Sequence, residues 1–413
     1  KILGKSQLNW RNSHLNLLLL IGMNSINKIF VGGSVHSGKN ILWHLLDGHS
    51  SMVSNCMHSN LGYFVLNDNC KKYFLREKPA FLKETYVFIP MCKISYSSGE
   101  VASVDIGSFL YGLYSFSGYR SLYSWAKGNS TFLNMKEGLN ERFPFVFDIN
   151  GFEKTLEQIM FSGERIFTEE EVLDVIYSSY IQNLGNKAPS NNLEEKTYFV
   201  DTLANGIDSL RIVAEKVPGA KIIIMTRDVE SLLYANAVRI MSYSGEVKVD
   251  TVAFKRILFN QKEFEKKMSS FNHEAAKLQA SNKNITLLNF NDLVLNTENI
   301  MKELVKFIGI GYEPILASPS INGEVINSDK YQIIGKINDD PYRCLNVADM
   351  DLLKYLLYGF NKQYSILKNI SILLRAIKWR MLHSLAIKIG QLLKISLPRT
   401  FYMKIKKIYK GKM

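Results

Sequence analysis

Short unbroken apolar runs alternate along this chain with longer stretches whose apolar residues return every three or four positions. Ile29-Phe30-Val31, entering the pair Gly32-Gly33, reads as a buried strand over 28–32, and 40–47 as the helix that follows a short polar loop. "TEEEVLDVIYSSYIQNL" opens with Thr168 at a helix N-cap and Glu171 three residues on, the pairing of a capping box. Leu173, Ile176, Tyr177 and Tyr180 then share one face. Residues 205–216 predict a second amphipathic helix, ended by "VPGA". "KIIIMTRD" (221–228) and "ITLLNF" (285–290) have the continuous apolar character of buried parallel strands, and a helix is expected after the first through Ile240. A long helix with charges on one side is expected over 251–280, and another over 297–308, stopped by Gly309. Residues 60–150 break this rhythm. Their Tyr, Phe, Ser and Gly clusters, as in "SYSSGEVASVDIGSFLYGLYSFSGYRSLYSW" (95–125), predict short strands and turns rather than long helices.

Alternating strands and helices predict an α/β class with a central parallel sheet flanked by helices, an inserted irregular region and a basic helical C-terminal extension; the strand, glycine-containing loop and helix over 28–47 make the expected fold P-loop-like. The expected organisation is an N-terminal extension over 1–25, a main domain over 26–345 with its insertion at about 60–150, and a tail over 346–413. The chain has 413 residues, 46% of them hydrophobic and 22% charged, enough to bury a full core without disulfides. Cys56, Cys70, Cys92 and Cys344 are scattered, which argues against a zinc site or a disulfide framework and fits a reducing compartment. The apolar run Leu15 to Met23 is too short for a bilayer span, which takes roughly 20 residues. A core strand or helix start is the expectation there, with a signal remnant as the alternative.

Charge changes the picture at one end only. The formal net charge is +13, and the stretch from Leu352 to Met413 holds 14 Lys and Arg with no acidic residue. The remainder of the chain is close to neutral, so the basic character belongs to the tail. Mixed with Leu, Ile and Trp at helical spacing, it predicts an amphipathic basic face suited to an anionic membrane surface, with self-packing as the alternative. No aromatic-rich nucleic-acid motif accompanies the charge, and no nucleic-acid partner is expected. The expected location is cytoplasmic, peripheral on a membrane.

The chemistry starts at "KIFVGGSVHSGKN" (28–40). A strand running through glycines into a helix aims successive backbone N–H groups at one point, and that suits a phosphate. Lys39 adds a full charge. Read literally, Gly33 to Asn40 has nucleotide-binding spacing, but Asn40 stands where a Ser or Thr hydroxyl would hold Mg²⁺. "YFVD" (198–201) is a weak candidate for the metal-binding strand such a site would need. Arg227, at the junction of strand 221–226 and the next helix, faces the crevice where α/β sheets bind ligands and can hold a phosphate bidentately. An ion pair with Asp228 or Glu230 is the structural alternative.

"FVGGSVHSGKNILWHLLDGHS" resembles the 5′-phosphosulfate loop of sulfotransferases that use 3′-phosphoadenosine 5′-phosphosulfate (PAPS), most of all the tyrosylprotein sulfotransferase branch and its bacterial relatives. "PGAKIIIMTRDVESLLYANAVR" resembles that family's 3′-phosphate segment. "ITLLNFNDLVLNTENIMKELVKFIGI" and "NSDKYQIIGKINDDP" resemble two later stretches, in the family's order. The resemblance implies that His36, Ser37, Gly38, Lys39 and Asn40 cradle the 5′-phosphosulfate, that Arg227 and Arg239 bind the 3′-phosphate, and that Ser328 and Lys336 complete the donor site. PAPS is the implied co-substrate, no metal is expected, and the implied partner is an acceptor hydroxyl on a glycan, a lipid-linked glycan or a protein tyrosine. There are departures from the pattern. The family's Pro-Arg is Val35-His36 here, its Thr-Thr is Lys39-Asn40, an expected Lys is Thr202, and an expected Ser is Ala235. Lys39 is placed to restore lost charge.

Sulfuryl transfer needs a base for the acceptor proton, positive charge on the leaving phosphate oxygen, and in-line attack. The resemblance implies a Glu base at about Met57. His58 beside it is the candidate base, with His44 and His49 as rivals. Lys39 is the second candidate catalytic residue. The alternatives are a non-catalytic protein on the same fold and a P-loop kinase.

Overall fold

The computed structural model describes residues 26–34, 37–54, 61–67, 91–116, 149–183, 198–203, 206–228, 232, 261–321, 324–325, 365–375, 377–378 and 381. His36, His58, Arg239, Ser328 and Lys336 lie outside the described residues, as do the apolar run 15–23 and most of the helix expected before Ile240. By internal packing the chain divides into two units, one of Lys1–Arg227 with Phe271–Ile337 and the other of Asp228–Ser270 with Asn338–Met413.

The first unit is built on a five-stranded sheet. Its strands are β1 (Asn27–Gly33), β2 (Met52–Ser54), β6 (Tyr198–Thr202), β7 (Lys221–Thr226) and β8 (Ile285–Asn289), in the order β2-β6-β1-β7-β8. Every pairing is parallel. Buried on both faces, these strands carry the continuous apolar runs that mark them in the sequence. Alternate residues serve two cores. Phe30, Phe199, Ile222 and Ile224 face one way, toward Leu210 and Val213 of α6 (Ile207–Lys216) and Tyr177 and Tyr180 of α5 (Glu169–Gln182). Ile29, Val31, Val200, Ile223 and Met225 face the other way, toward Leu42 and Leu45 of α1 (Lys39–Leu46) and Met301 and Leu304 of α9 (Thr297–Ile308). Tyr177 stacks on Phe199 at 4.1 Å between ring centres. Gly32 lets α6 come close, because a β-carbon there would stand 2.2 Å from Leu210 Cδ2.

The end signals act as the sequence predicts. Thr168 Oγ1 accepts from the Glu171 amide while the Glu171 carboxylate accepts from the Thr168 amide, a complete capping box. α9 stops at Gly309, whose φ of 96° is the left-handed conformation of a helix C-cap. The expected long helix is described as α7 (Gln261–Ser281).

Within 60–150 the expected short strands are present as β3 (Met91–Ser95) and β4 (Val101–Asp105), an antiparallel hairpin. β5 (Ile166–Thr168) adds to β3 in parallel to complete a second, three-stranded sheet. The same region also holds α2 (Tyr63–Leu66), the eleven-residue helix α3 (Ile106–Phe116) and the start of α4 (Ile149–Met160), where short strands and turns were expected. Asp105 explains the start of α3. Its carboxylate accepts from the Ser108 amide at 3.0 Å and the Ser108 hydroxyl at 2.7 Å, satisfying the first turn.

Candidate functional site

Strand order fixes where a ligand can sit. From β1 the chain crosses over β6 to reach β2, and from β6 it crosses back over β1 to reach β7. The connections therefore diverge at the C-terminal end of β1, beside β7, which is the crevice where open α/β sheets bind ligands. Two groups singled out in the sequence stand there. Lys39 opens the helix after β1, and Arg227 is the first residue past β7. Gly33 pairs in register with Met225, so the two strand ends lie side by side.

The loop after β1 has a shape that only glycine permits at two positions. Gly38 has φ 96°, and a β-carbon on it would stand 2.2 Å from the Phe290 ring. A β-carbon on Gly33 would stand 2.5 Å from Ser37 Oγ and 2.6 Å from the Met225 carbonyl oxygen. The Ser37 amide donates to the Ser34 carbonyl at 3.2 Å, and the turn feeds directly into α1. Gly38 caps that helix with no side-chain hydrogen bond, and no acidic residue lies in its first turn. Its first amides thus keep their positive end open to an anion.

Lys39 turns back under the loop. Its Nζ donates to the Gly33 carbonyl at 3.2 Å and the Leu203 carbonyl at 2.9 Å, tying the ends of β1 and β6 together. An ammonium has three donors, so one remains. Among the described residues no carboxylate pairs with it, and burial pulls its pKa from the usual 10.5 down to about 8. A buried cation that lacks a counter-charge is electrostatically suited to an incoming anion. Ser37 Oγ, fully buried, has no hydrogen-bond partner among the described residues. Thr202, expected near the start of a helix, instead ends β6, while α6 begins at Ile207. Lys39 Nζ therefore reaches the residue immediately after Thr202.

Arg227 lies with its guanidinium 4.1 Å from the centre of the Phe290 ring. Phe290 begins α8 (Phe290–Leu295) directly after β8, and Asn289 caps that helix by accepting from the Asn291 and Asp292 amides. One aromatic ring thus packs against the loop at Gly38 and carries Arg227. Sequence reasoning passed over Phe290. The available signal was its position, the first residue past the C-terminal end of a central-sheet strand.

Both rival histidines are occupied by the fold. His44 Nδ1 lies 3.0 Å from the Ser320 carbonyl oxygen, and the Ser320 hydroxyl donates to the His44 carbonyl, fastening β9 (Ser320–Ile321) to α1. His49 Nδ1 accepts from the Ser51 amide at 3.0 Å, which leaves Nε2 to donate to the Gly311 carbonyl at 2.9 Å. Asp201, the carboxylate of "YFVD", is likewise committed. It is fully buried and accepts from the Leu61 and Gly62 amides and the Tyr177 hydroxyl, on the face of the sheet that Phe30 and Phe199 share. That is a structural role rather than the metal-holding one considered for it.

Residues 136–314 match the model of the sulfotransferase family. The match includes Arg227 and Phe290 and leaves the 33–40 loop outside. Among curated proteins no relative matches the chain. Similar solved structures include the sulfotransferase domain of the Synechococcus PCC 7002 olefin synthase, at 12% identity over 84% of this chain and 94% of that one, with a TM-score of 0.33. The sulfotransferase domain from the curacin biosynthetic pathway aligns at 14% identity over 84% and 96%, also with a TM-score of 0.33. The sulfotransferase STF1 of Mycobacterium tuberculosis H37Rv aligns at 13% identity over 86% and 81%, with a TM-score of 0.35.

Proposed function

We propose that this chain is a sulfotransferase that draws its sulfuryl group from PAPS and delivers it to an acceptor hydroxyl. The observation that supports this most is the anion cradle at the end of β1: an uncapped, acid-free helix start, a buried Ser37 hydroxyl and a part-buried Lys39 ammonium that among the described residues have, respectively, no hydrogen-bond partner and no carboxylate beside them. The match of 136–314 to the sulfotransferase family, which takes in Arg227 and Phe290, supports reading the cradle as a site for a sulfuryl donor. Bound there, PAPS supplies an activated sulfuryl group on a phosphate leaving group. The amides of the loop and of the first turn of α1, Ser37 and Lys39 hold the 5′ end, and Arg227 holds the second phosphate against Phe290. His36, Asn40, Arg239, Ser328 and Lys336 are the remaining donor contacts proposed.

In the transfer, the acceptor oxygen forms its bond to sulfur as the sulfur–oxygen bond to the 5′-phosphate breaks. Lys39 and the loop amides stabilise the negative charge that grows on the departing phosphate oxygen. His58 takes the acceptor proton. Acceptors with a glycan, lipid-linked glycan or tyrosine hydroxyl all fit this chemistry. A second reading, a fold retained for binding without transfer, is favoured by Val35-His36, Thr202 and Ala235 standing where the resembling family has Pro-Arg, Lys and Ser.

The test is transfer of labelled sulfate from PAPS to a panel of these hydroxyl acceptors. The proposal expects labelled product that disappears in Lys39→Met. An absence of labelled product with every acceptor, together with an absence of donor hydrolysis, would favour the second reading.

A further inference from the structure

We infer that the helical segment beginning at Ile366 docks on an anionic lipid surface through one defined face. Residues 366–375 and 377–378 are helical, and so is Met381. Ile366, Leu367, Ile370, Leu374, Ile377 and Met381 are all exposed, the first two at 78% and 79%, Leu374 at 61% and Met381 at 68%. At 3.6 residues per turn these six fall within an arc of about 100°. Ile372 lies on the opposite side and is buried. The helix therefore has one apolar position turned into the protein and a separate apolar stripe turned out of it. An exposed stripe of large aliphatic residues is a docking surface rather than ordinary surface scatter.

Charge selects the occupant. Lys378 borders the stripe, Lys368 and Arg375 stand beyond it, and all three are exposed. No acidic residue occurs anywhere after Asp351, while 14 Lys and Arg do. An aliphatic stripe whose charged neighbours are all cations fits the boundary between acyl chains and anionic headgroups, where side chains such as Ile and Leu enter the hydrocarbon and Lys and Arg stay with the phosphates. Among the described residues no helix is long and apolar enough to cross a membrane, so the contact is one of lying on the surface. This inference is independent of the sulfotransferase proposal.

The experiment is co-sedimentation of the full chain with phosphatidylcholine vesicles and with mixed phosphatidylserine–phosphatidylcholine vesicles (about 3:7), with light scattering for the oligomeric state. The expected result is binding to the mixed vesicles, weakened by salt, and little binding to phosphatidylcholine alone. Because both positions are exposed, Ile370→Glu/Leu374→Glu should keep the wild-type melting temperature and lower binding by at least about tenfold. Four outcomes would overturn the inference: failure to bind the mixed vesicles, equal binding to both vesicle types, unchanged binding by the double variant, or a wild-type dimer that the double variant turns into a monomer.

Discussion

The Arg227 guanidinium lies 4.1 Å from the centre of the Phe290 ring, and the edge of that same ring occupies the space a β-carbon on Gly38 would need. Loop and arginine are thus positioned by one side chain. Gly38→Ala adds strain at a φ of 96° and a clash at 2.2 Å, so it should lower stability by about 1–3 kcal/mol and also displace the ring beneath Arg227. Phe290→Leu keeps apolar volume and removes the cation–π platform. It should weaken binding of 3′-phosphoadenosine 5′-phosphate several-fold with a smaller loss of melting temperature, measured by titration calorimetry and thermal denaturation.

Ser37 separates stability from binding. Its hydroxyl is fully buried and has no partner among the described residues, so burial costs desolvation that no hydrogen bond there returns. Ser37→Ala should therefore melt at the wild-type temperature or slightly above it, yet bind the nucleotide about fivefold to tenfold more weakly. A variant that loses both stability and affinity would mean that the hydroxyl serves the fold.

Lys39 Nζ reaches the Leu203 carbonyl, one residue from Thr202, the position where the resembling family carries a lysine. The Lys39 ammonium thus stands at the end of β6, beside that position. Lys39→Thr should weaken nucleotide binding at least about tenfold, and Lys39→Thr/Thr202→Lys should restore part of it. Binding by the double variant no better than by the single one would show that the charge must come from the loop.

Acidity gives a further handle. Burial lowers the Lys39 pKa to about 8, so between about pH 8 and its unfolded value of 10.5 the folded protein holds fewer protons there than the unfolded chain. Lys39 therefore contributes a rise in stability with pH across that window. A bound anion favours the ammonium, so nucleotide affinity should fall as pH rises through about 8, by up to about tenfold per unit. Calorimetry in buffers of different ionisation enthalpy should show net proton uptake on binding at about pH 8, above the range near pH 6 where the nucleotide's own phosphates titrate. Lys39→Met should lose that uptake.

The central sheet was legible because its strands are buried on both faces and so read as apolar runs between helices with clear end signals, Thr168 and Gly309 among them. The loop, Lys39 and Arg227 were legible because glycine spacing and a strand-end arginine have local meaning. What escaped was set by distant partners. Nothing local shows that Lys39 meets the Leu203 carbonyl, that His49 is consumed by Ser51 and Gly311, or that Asp201 serves the Leu61 and Gly62 amides. Helix α3 was missed because its aromatic and glycine content suggests turns, while the Asp105–Ser108 bonds that start it look like loop chemistry in the sequence. Phe290 passed as an ordinary end-of-strand apolar residue, since its role depends on two neighbours from other parts of the chain.

The most direct measurement is calorimetric titration of the full chain with 3′-phosphoadenosine 5′-phosphate in the presence of EDTA, set beside ATP with and without Mg²⁺. The account predicts saturable one-to-one binding that needs no metal, weakened at least about tenfold by Lys39→Met and by Arg227→Ala, each a loss of about 1.4 kcal/mol or more. Absence of binding, affinity unchanged in both variants, or preference for magnesium–ATP would contradict it.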